Sequence, residues 1–356
     1  MKTRLHPFYY CLLLFIIGRA FYLGELSIID HFLTLSDSLS GLLTKLDTLW
    51  YLGIVNHGYD RVSLLADHHA NYVFFPALPL CVKAMALITH LPPQLAGILF
   101  SNLCFFASLL LFYYWLEQRT DTATARLGCL FLALSPYNIY FMSIYTESLF
   151  LLLLLISWRA LETKRWWLVG IAGFILTATR PNGLMILPFV AWSIYEDFAW
   201  KKIWRYLPVL LIPMGIIAYM VYLHFHTGSA FNFIYNQKYW RGPGWMGQSF
   251  WPHLWMEVDS NPYGVVMLIM GFVFSGFLWK AGYKKEAWLI PALIAPALLS
   301  GGFMSLARFS ATAFSFYFAL ALLGQKWELH KEMLIFFLIL SLPLSTAWLL
   351  GWPMAY

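Results

Sequence analysis

Apolar runs of about 14 to 22 residues recur from one end of this chain to the other, near 8–24, 74–91, 95–116, 127–143, 147–161, 166–179, 183–197, 206–225, 263–279, 286–302, 308–323 and 333–351. A run of that length is what a helix needs to cross a hydrocarbon core of roughly 30 Å, and the shorter ones suit broken or tilted helices. Within hydrocarbon every backbone polar group must find its partner inside the segment or its neighbours, which favours helices. Composition points the same way, with 61% hydrophobic and only 11% charged residues over 356 positions, so few residues remain for a soluble domain. The sequence predicts an all-α polytopic membrane protein, a single membrane-embedded domain over 1–356. The first run follows Lys2 and Arg4, contains Arg19 and precedes no small-residue cleavage site, so it is expected to stay as the first helix rather than be removed as a signal peptide.

Other function classes lose support. The four cysteines, Cys11, Cys81, Cys104 and Cys129, stand singly in apolar surroundings, with neither a Cys-x-x-Cys pair nor zinc-ligand spacing. A formal charge of +6 suggests an acidic partner, yet no basic run reaches the density of a nucleic-acid groove. No Walker A loop or Gly-x-Gly-x-x-Gly fingerprint occurs, so a soluble nucleotide site is not supported. His57, Asp60, Asp67, His68 and His69 are the densest group of possible metal ligands, but their spacing matches no standard site.

Charge asymmetry orients the chain. If 74–91 crosses the membrane, the clusters Arg119/Arg126, Lys164/Arg165, Lys201/Lys202/Arg205, Lys280/Lys284/Lys285 and Lys326/Lys331 all fall opposite Lys2 and Arg4, against the positive-inside rule. If it lies in the outer interface, all become cytoplasmic. Pro76, Pro79, Lys83 and the Pro92-Pro93 pair also suit a re-entrant or interfacial helix better than a spanning one. About eleven spans are therefore expected, with the N-terminus cytoplasmic, the C-terminus outside, a first external loop over 25–94 and a second over 226–262.

The first of these loops holds Asp47, in the aromatic stretch from Lys45 to Asp60. A carboxylate at a membrane interface is costly unless it has a task or a partner. Basic residues left on the same side, Lys45, Arg61, Lys83, Arg180, Lys238, Arg241 and Arg308, also need a reason. Arg180 and Arg308 stand at membrane ends of helices and Arg241 in an aromatic loop, where a guanidinium suits a phosphate; snorkelling to lipid headgroups is the plainer alternative. Tyr, Trp and Phe residues between 232 and 245 suit sugar faces or an ordinary interfacial belt.

The string around Asp47, then Phe74-Phe-Pro-Ala-Leu-Pro-Leu80, Ser101-Asn102, Tyr145-Thr-Glu147-Ser-Leu-Phe150, Arg180-Pro-Asn182-Gly-Leu184 and Ser305-Leu-Ala-Arg308-Phe309 together resemble the PIG-V mannosyltransferase family, of the GT-C class of glycosyltransferases. The sequence departs from the family pattern at Leu46, Pro181 and Ser315, and it contains no Asn-x-Ser/Thr sequon. Those departures point to a bacterial member with an acceptor other than the glycosylphosphatidylinositol precursor.

The resemblance implies a GT-C fold with interfacial helices in the first external loop. It also implies transfer of a hexose, read as mannose from the family, from a polyprenyl-phosphate donor to a lipid-linked or glycan hydroxyl on the external face. The membrane would be a bacterial plasma membrane, or the endoplasmic reticulum in a eukaryote, and a small membrane partner subunit is compatible with it. Such chemistry needs a base for the acceptor proton and cations for the departing phosphate. Asp47 and Glu147 are the catalytic candidates, and Tyr51, Tyr145, Arg180, Asn182, Arg241 and Arg308 the substrate-binding ones; no metal or cofactor is assigned. Glu147 could instead cap the helix it begins, and Asn182 the one it precedes. A transporter or flippase of a lipid-linked saccharide is the competing reading, weakened by the absence of an internal repeat.

Overall fold

A computed structural model describes residues 5–60, 69–198, 200–241, 262–299 and 305–352, the side chains of Trp200, Arg241 and Leu299 excepted. The helices are α1 (Pro7–Leu33), α2 (Leu39–Leu42), α3 (Asp47–His57), α4 (Ala77–Thr89), α5 (Pro93–Arg119), α6 (Thr122–Ala133), α7 (Asn138–Met142), α8 (Glu147–Glu162) and α9 (Trp166–Thr179). They continue as α10 (Leu187–Asp197), α11 (Leu211–Thr227), α12 (Asn232–Tyr235), α13 (Gln237–Arg241), α14 (Pro262–Lys280), α15 (Lys284–Leu299), α16 (Leu306–Ala311), α17 (Phe314–Trp327) and α18 (His330–Leu350). No strand occurs among the described residues. The expected all-α membrane architecture holds.

Five helical stretches among the described residues are long and apolar enough to cross a membrane: Pro7–Leu33, Pro93–Arg119, Lys201–Thr227, Pro262–Lys280 and His330–Leu350. The other apolar segments are shorter or broken, so helix length alone does not reach the eleven spans expected. Segment 74–91 folds as α4, whose 13 residues extend about 20 Å, well short of a hydrocarbon core. His90 ends it with a left-handed backbone before Pro92 and Pro93 start α5.

The run 127–143 does not form one helix. Ser135-Pro136 interrupts it, since a proline has no N–H for the ladder and clashes with the preceding turn. The carbonyls freed by the break are satisfied from α1: the Tyr22 hydroxyl donates to the Ser135 carbonyl at 2.6 Å and the Leu134 carbonyl at 3.1 Å. Arg19, buried in α1, braces both ends of α7. Its Nη1 donates to the Asn138 side chain, and its Nε donates at 2.6 Å to Asn102, whose amide in turn donates to the Met142 carbonyl at 3.0 Å. The bracing fixes where α8 begins, and therefore where Glu147 stands.

Helix α9 must deliver Arg180 to the same region, and small residues let it sit close to α11. A Cβ at Gly215 would run into the Phe174 carbonyl oxygen, and one at Gly170 into that of Pro208. The close approach lets the Thr177 hydroxyl donate to the Ile212 carbonyl at 2.6 Å, tying the two helices together.

Candidate active site

Four chain segments bring charged side chains together at one site. Asp47 is the first residue of α3, and its carboxylate is brought inward by Leu46, whose backbone adopts φ 54°, ψ −126°. A non-glycine residue there stores strain of about 1 to 3 kcal/mol, the kind of outlier that accumulates at functional sites. The Asp47 N–H donates to the Tyr145 hydroxyl at 3.0 Å, which fixes the start of α3 against the α7–α8 connection.

Arg308 comes from α16, entered through Ser305 in a left-handed conformation. Its Nη1 lies 2.7 Å from Asp47 Oδ2 and its Nε 3.0 Å from Glu147 Oε1. The same Glu147 oxygen accepts from Arg180 Nη2 at 2.5 Å. Asp47, Arg308, Glu147 and Arg180 thus form one alternating chain of charges that sums to zero. Each of the four is at least nine-tenths buried, and Glu147 is wholly so. Any one of these charges alone would carry a desolvation cost of several kcal/mol, which the alternation offsets. Aromatic rings complete the setting: the Arg308 guanidinium lies 4.9 Å from the Tyr145 ring centroid, and that of Arg180 5.0 Å from Phe309.

A cavity of about 460 Å³ opens against this chain of charges. Asp47, Tyr51, Arg180, Asn182, Ser305 and Arg308 form its polar wall, and Phe74, Phe75, Ile216, Phe233 and Trp240 its apolar one. Glu147 and Tyr145 do not line it. The structure therefore separates the expected site residues into two sets: Asp47, Tyr51, Arg180, Asn182 and Arg308 face the cavity, while Glu147 and Tyr145 stand behind and hold them. Burial pushes the Tyr51 phenol well above its ordinary pKa, so near neutral pH it is an uncharged hydroxyl.

Neither capping alternative has a hydrogen bond behind it. Glu147 Oε1 accepts from both arginines while its Oε2 is buried without a partner, and α10, with Ile186 at its N-cap, has no side-chain cap. Asn182 sits instead in the 3-10 turn Pro181–Ile186, where Pro181 ends α9 and aims the chain at the cavity. Both polar atoms of its amide are buried without a partner, as is Arg180 Nη1. Buried polar groups are normally satisfied, so these three atoms beside the cavity keep unused hydrogen-bonding capacity.

The segment expected as the second external loop, 226–262, contributes more than the sequence disclosed. Trp240 of α13 packs edge-on against Trp50 at 5.0 Å and Phe74 at 5.3 Å, closing the aromatic wall, and Gln237 lies beside it. Their signal in the sequence was the aromatic cluster around Arg241, which composition alone could not tell from an interfacial belt. Arg241 ends α13, and its side chain lies outside the described residues. Asp67, His68 and Arg61 also lie outside them. Asp60 accepts the Asn71 N–H at 3.0 Å, the His69 ring packs on Trp240, and no group of three or more His, Cys, Asp or Glu side chains among the described residues could hold a metal ion.

No protein-family model matches the chain. Among curated proteins it is 29% identical over 225 residues to the GPI alpha-1,6-mannosyltransferase 2 of Mus musculus, a match covering 55% of this chain and 44% of the mouse protein. It is 31% identical over 169 residues to the protein of the same name from Cricetulus griseus, covering 44% of this chain and 32% of that one. The matches thus span less than half the length of these relatives. Among solved structures, the Archaeoglobus fulgidus oligosaccharyltransferase aligns over 86% of this chain and 48% of its own with a TM-score of 0.40 and 14% identity. The sequence matches agree with the family resemblance carried by the motifs: the chain is similar, over about half its length, to proteins named GPI alpha-1,6-mannosyltransferase 2.

Proposed function

We propose that the protein is an integral-membrane glycosyltransferase that moves a hexose, mannose by homology, from a polyprenyl-phosphate donor to a hydroxyl of a lipid-linked or glycan acceptor, with inversion. The observation that carries this reading is the pairing of one cavity-lining carboxylate, Asp47, with Arg308, beside Arg180 and an unsatisfied Asn182. The acceptor oxygen attacks the anomeric carbon from the face opposite the phosphate, Asp47 takes the acceptor proton, and the bond to the phosphate oxygen breaks. One carboxylate suffices for such a single displacement, as on the base side of an inverting glycosidase. Arg308 and Arg180 stabilise the charge that develops on the leaving phosphate, and Asn182 binds a sugar or phosphate oxygen. Glu147 keeps both guanidiniums in place without touching substrate, and Tyr51 donates a neutral hydrogen bond.

The membrane orientation belongs to the same proposal. The shortness of α4 and the positive clusters support a cavity on the external face, in a bacterial plasma membrane or, in a eukaryotic host, the lumenal face of the endoplasmic reticulum. A transporter of lipid-linked saccharides is not favoured, since the homologues are mannosyltransferases. The test supplies purified protein with polyprenyl-phosphate mannose and a panel of lipid and glycan acceptors. Transfer that disappears in Asp47→Asn supports the proposal; release of no sugar to any acceptor by the wild type, with lipid-linked saccharide still crossing proteoliposomes, opposes it.

A further inference from the structure

A second cavity opens on the apolar outer surface and shares no lining residue with the candidate active-site cavity. Helices α14 and α18 each pack on α17 but leave a cleft of about 550 Å³ between them. Its walls are apolar, chiefly Phe274, Phe277, Leu320, Leu323, Phe336 and Phe337, and its outer lips are open, with Phe272 and Val273 more than half exposed. One charged residue, Lys280, stands at its end, and the space just beyond, lined by Lys280, Gln325 and Lys326, carries a second lysine to the same mouth. Neither lysine has a carboxylate partner among the described residues; Lys326 has only the Trp327 ring at 5.9 Å. Trp279, Trp288 and Trp327 are exposed at the same end of the helices, as interfacial tryptophans are.

Two features choose the occupant. The cleft follows the ten or so residues from Met270 to Lys280, about 15 Å of helix, an open apolar length along which a hydrocarbon chain can lie. The paired lysines at an interfacial mouth complement a phosphate, and an apolar slot below them gives a free phosphate ion nothing further. Basic pockets between membrane helices bind anionic lipid headgroups on these grounds. We propose that this cleft binds an anionic glycerophospholipid, one acyl chain lying between α14 and α18 and the headgroup phosphate held by Lys280 and Lys326.

Gly276 makes the proposal testable without harming the fold, because it lines the cleft and a Cβ built there meets no atom within 4 Å. Native mass spectrometry of the full chain in detergent, with phosphatidylglycerol, phosphatidylcholine of the same chains, or a polyprenyl phosphate added, reads lipid retention independently of any sugar transfer. Wild type should retain phosphatidylglycerol about tenfold more than phosphatidylcholine, the double variant Lys280→Ala/Lys326→Ala should lose that preference, and Gly276→Leu should lose retention of both lipids. Thermal unfolding and gel filtration establish that the variants are folded, and Lys280→Gln/Lys326→Gln stands in for the alanine pair if it is not. Equal retention of the two phospholipids by the wild type overturns the proposal. So does wild-type retention of phosphatidylglycerol in both the lysine and the Gly276→Leu variants. Stronger retention of the polyprenyl phosphate than of phosphatidylglycerol overturns the choice of a glycerophospholipid.

Discussion

Arg308 Nη1 hydrogen-bonds Asp47 Oδ2 at 2.7 Å across 261 residues of sequence, on the wall of the candidate active-site cavity. The pairing places the group proposed to take a proton against a group proposed to receive a phosphate. An anionic leaving group would compete with Asp47 for the same guanidinium. Arg308 also touches Glu147, so it keeps one carboxylate partner when the other is released.

Arg308→Ala leaves Asp47 without its partner and Glu147 with only Arg180. Breaking a buried pair from one side costs about 3 to 5 kcal/mol, so this variant should lower thermal stability more than Asp47→Asn does. Thermal unfolding of the purified variants in one detergent checks the order. Arg308→Lys keeps the charge but cannot make both contacts, and is expected to fall between them.

Glu147 is proposed to act through the arginines, and on that reading its replacement should show a different kinetic signature from that of Asp47, the proposed base. Glu147→Gln is expected to raise the apparent KM for the lipid-phosphate donor by on the order of tenfold, through loss of a charge-assisted bond, while acceptor-proton removal by Asp47 continues. Steady-state kinetics over donor concentration separate the two; a fall in kcat as large as that of Asp47→Asn with unchanged donor KM would make Glu147 the base.

Tyr145→Phe removes the acceptor of the Asp47 N–H while keeping the ring against Arg308. A single neutral hydrogen bond is worth about 0.5 to 1.5 kcal/mol, so transfer should slow only about two- to tenfold. Single-turnover rates measure it, and an unchanged rate would remove Tyr145 from the positioning of α3.

Gly215→Ala puts a methyl group against the Phe174 carbonyl, where neither backbone can yield easily. Overpacking of this kind costs about 1 to 3 kcal/mol, and the displacement of α9 should carry Arg180 with it. A lowered unfolding temperature with weakened donor binding is expected; Gly276→Leu, in open space, should leave the unfolding temperature unchanged.

The all-α membrane class was legible because apolar run length reports directly on helices in hydrocarbon. The cavity set Asp47, Tyr51, Arg180, Asn182 and Arg308 was legible through motifs that resemble one family, although these residues lie on separate segments. The division between cavity wall and support was not, since Tyr145 and Glu147 belong to one motif with the same residue types, and only the packing of α8 behind Arg180 and Arg308 assigns them. The break after α6 rests on Pro136, one residue in an apolar run that otherwise reads as continuous. Trp240 was hidden because aromatics at an interface look alike whether they meet lipid or sugar.

The most direct measurement is single-turnover transfer by Asp47→Asn in a purified system supplied with polyprenyl-phosphate mannose and an active acceptor, alongside donor binding by the same protein. The substitution keeps size and hydrogen bonding but removes the proton acceptor, and Arg308 keeps Glu147 as its partner. The account requires the rate to fall by about 10²- to 10⁴-fold with donor binding retained. Near-normal turnover by Asp47→Asn would contradict it.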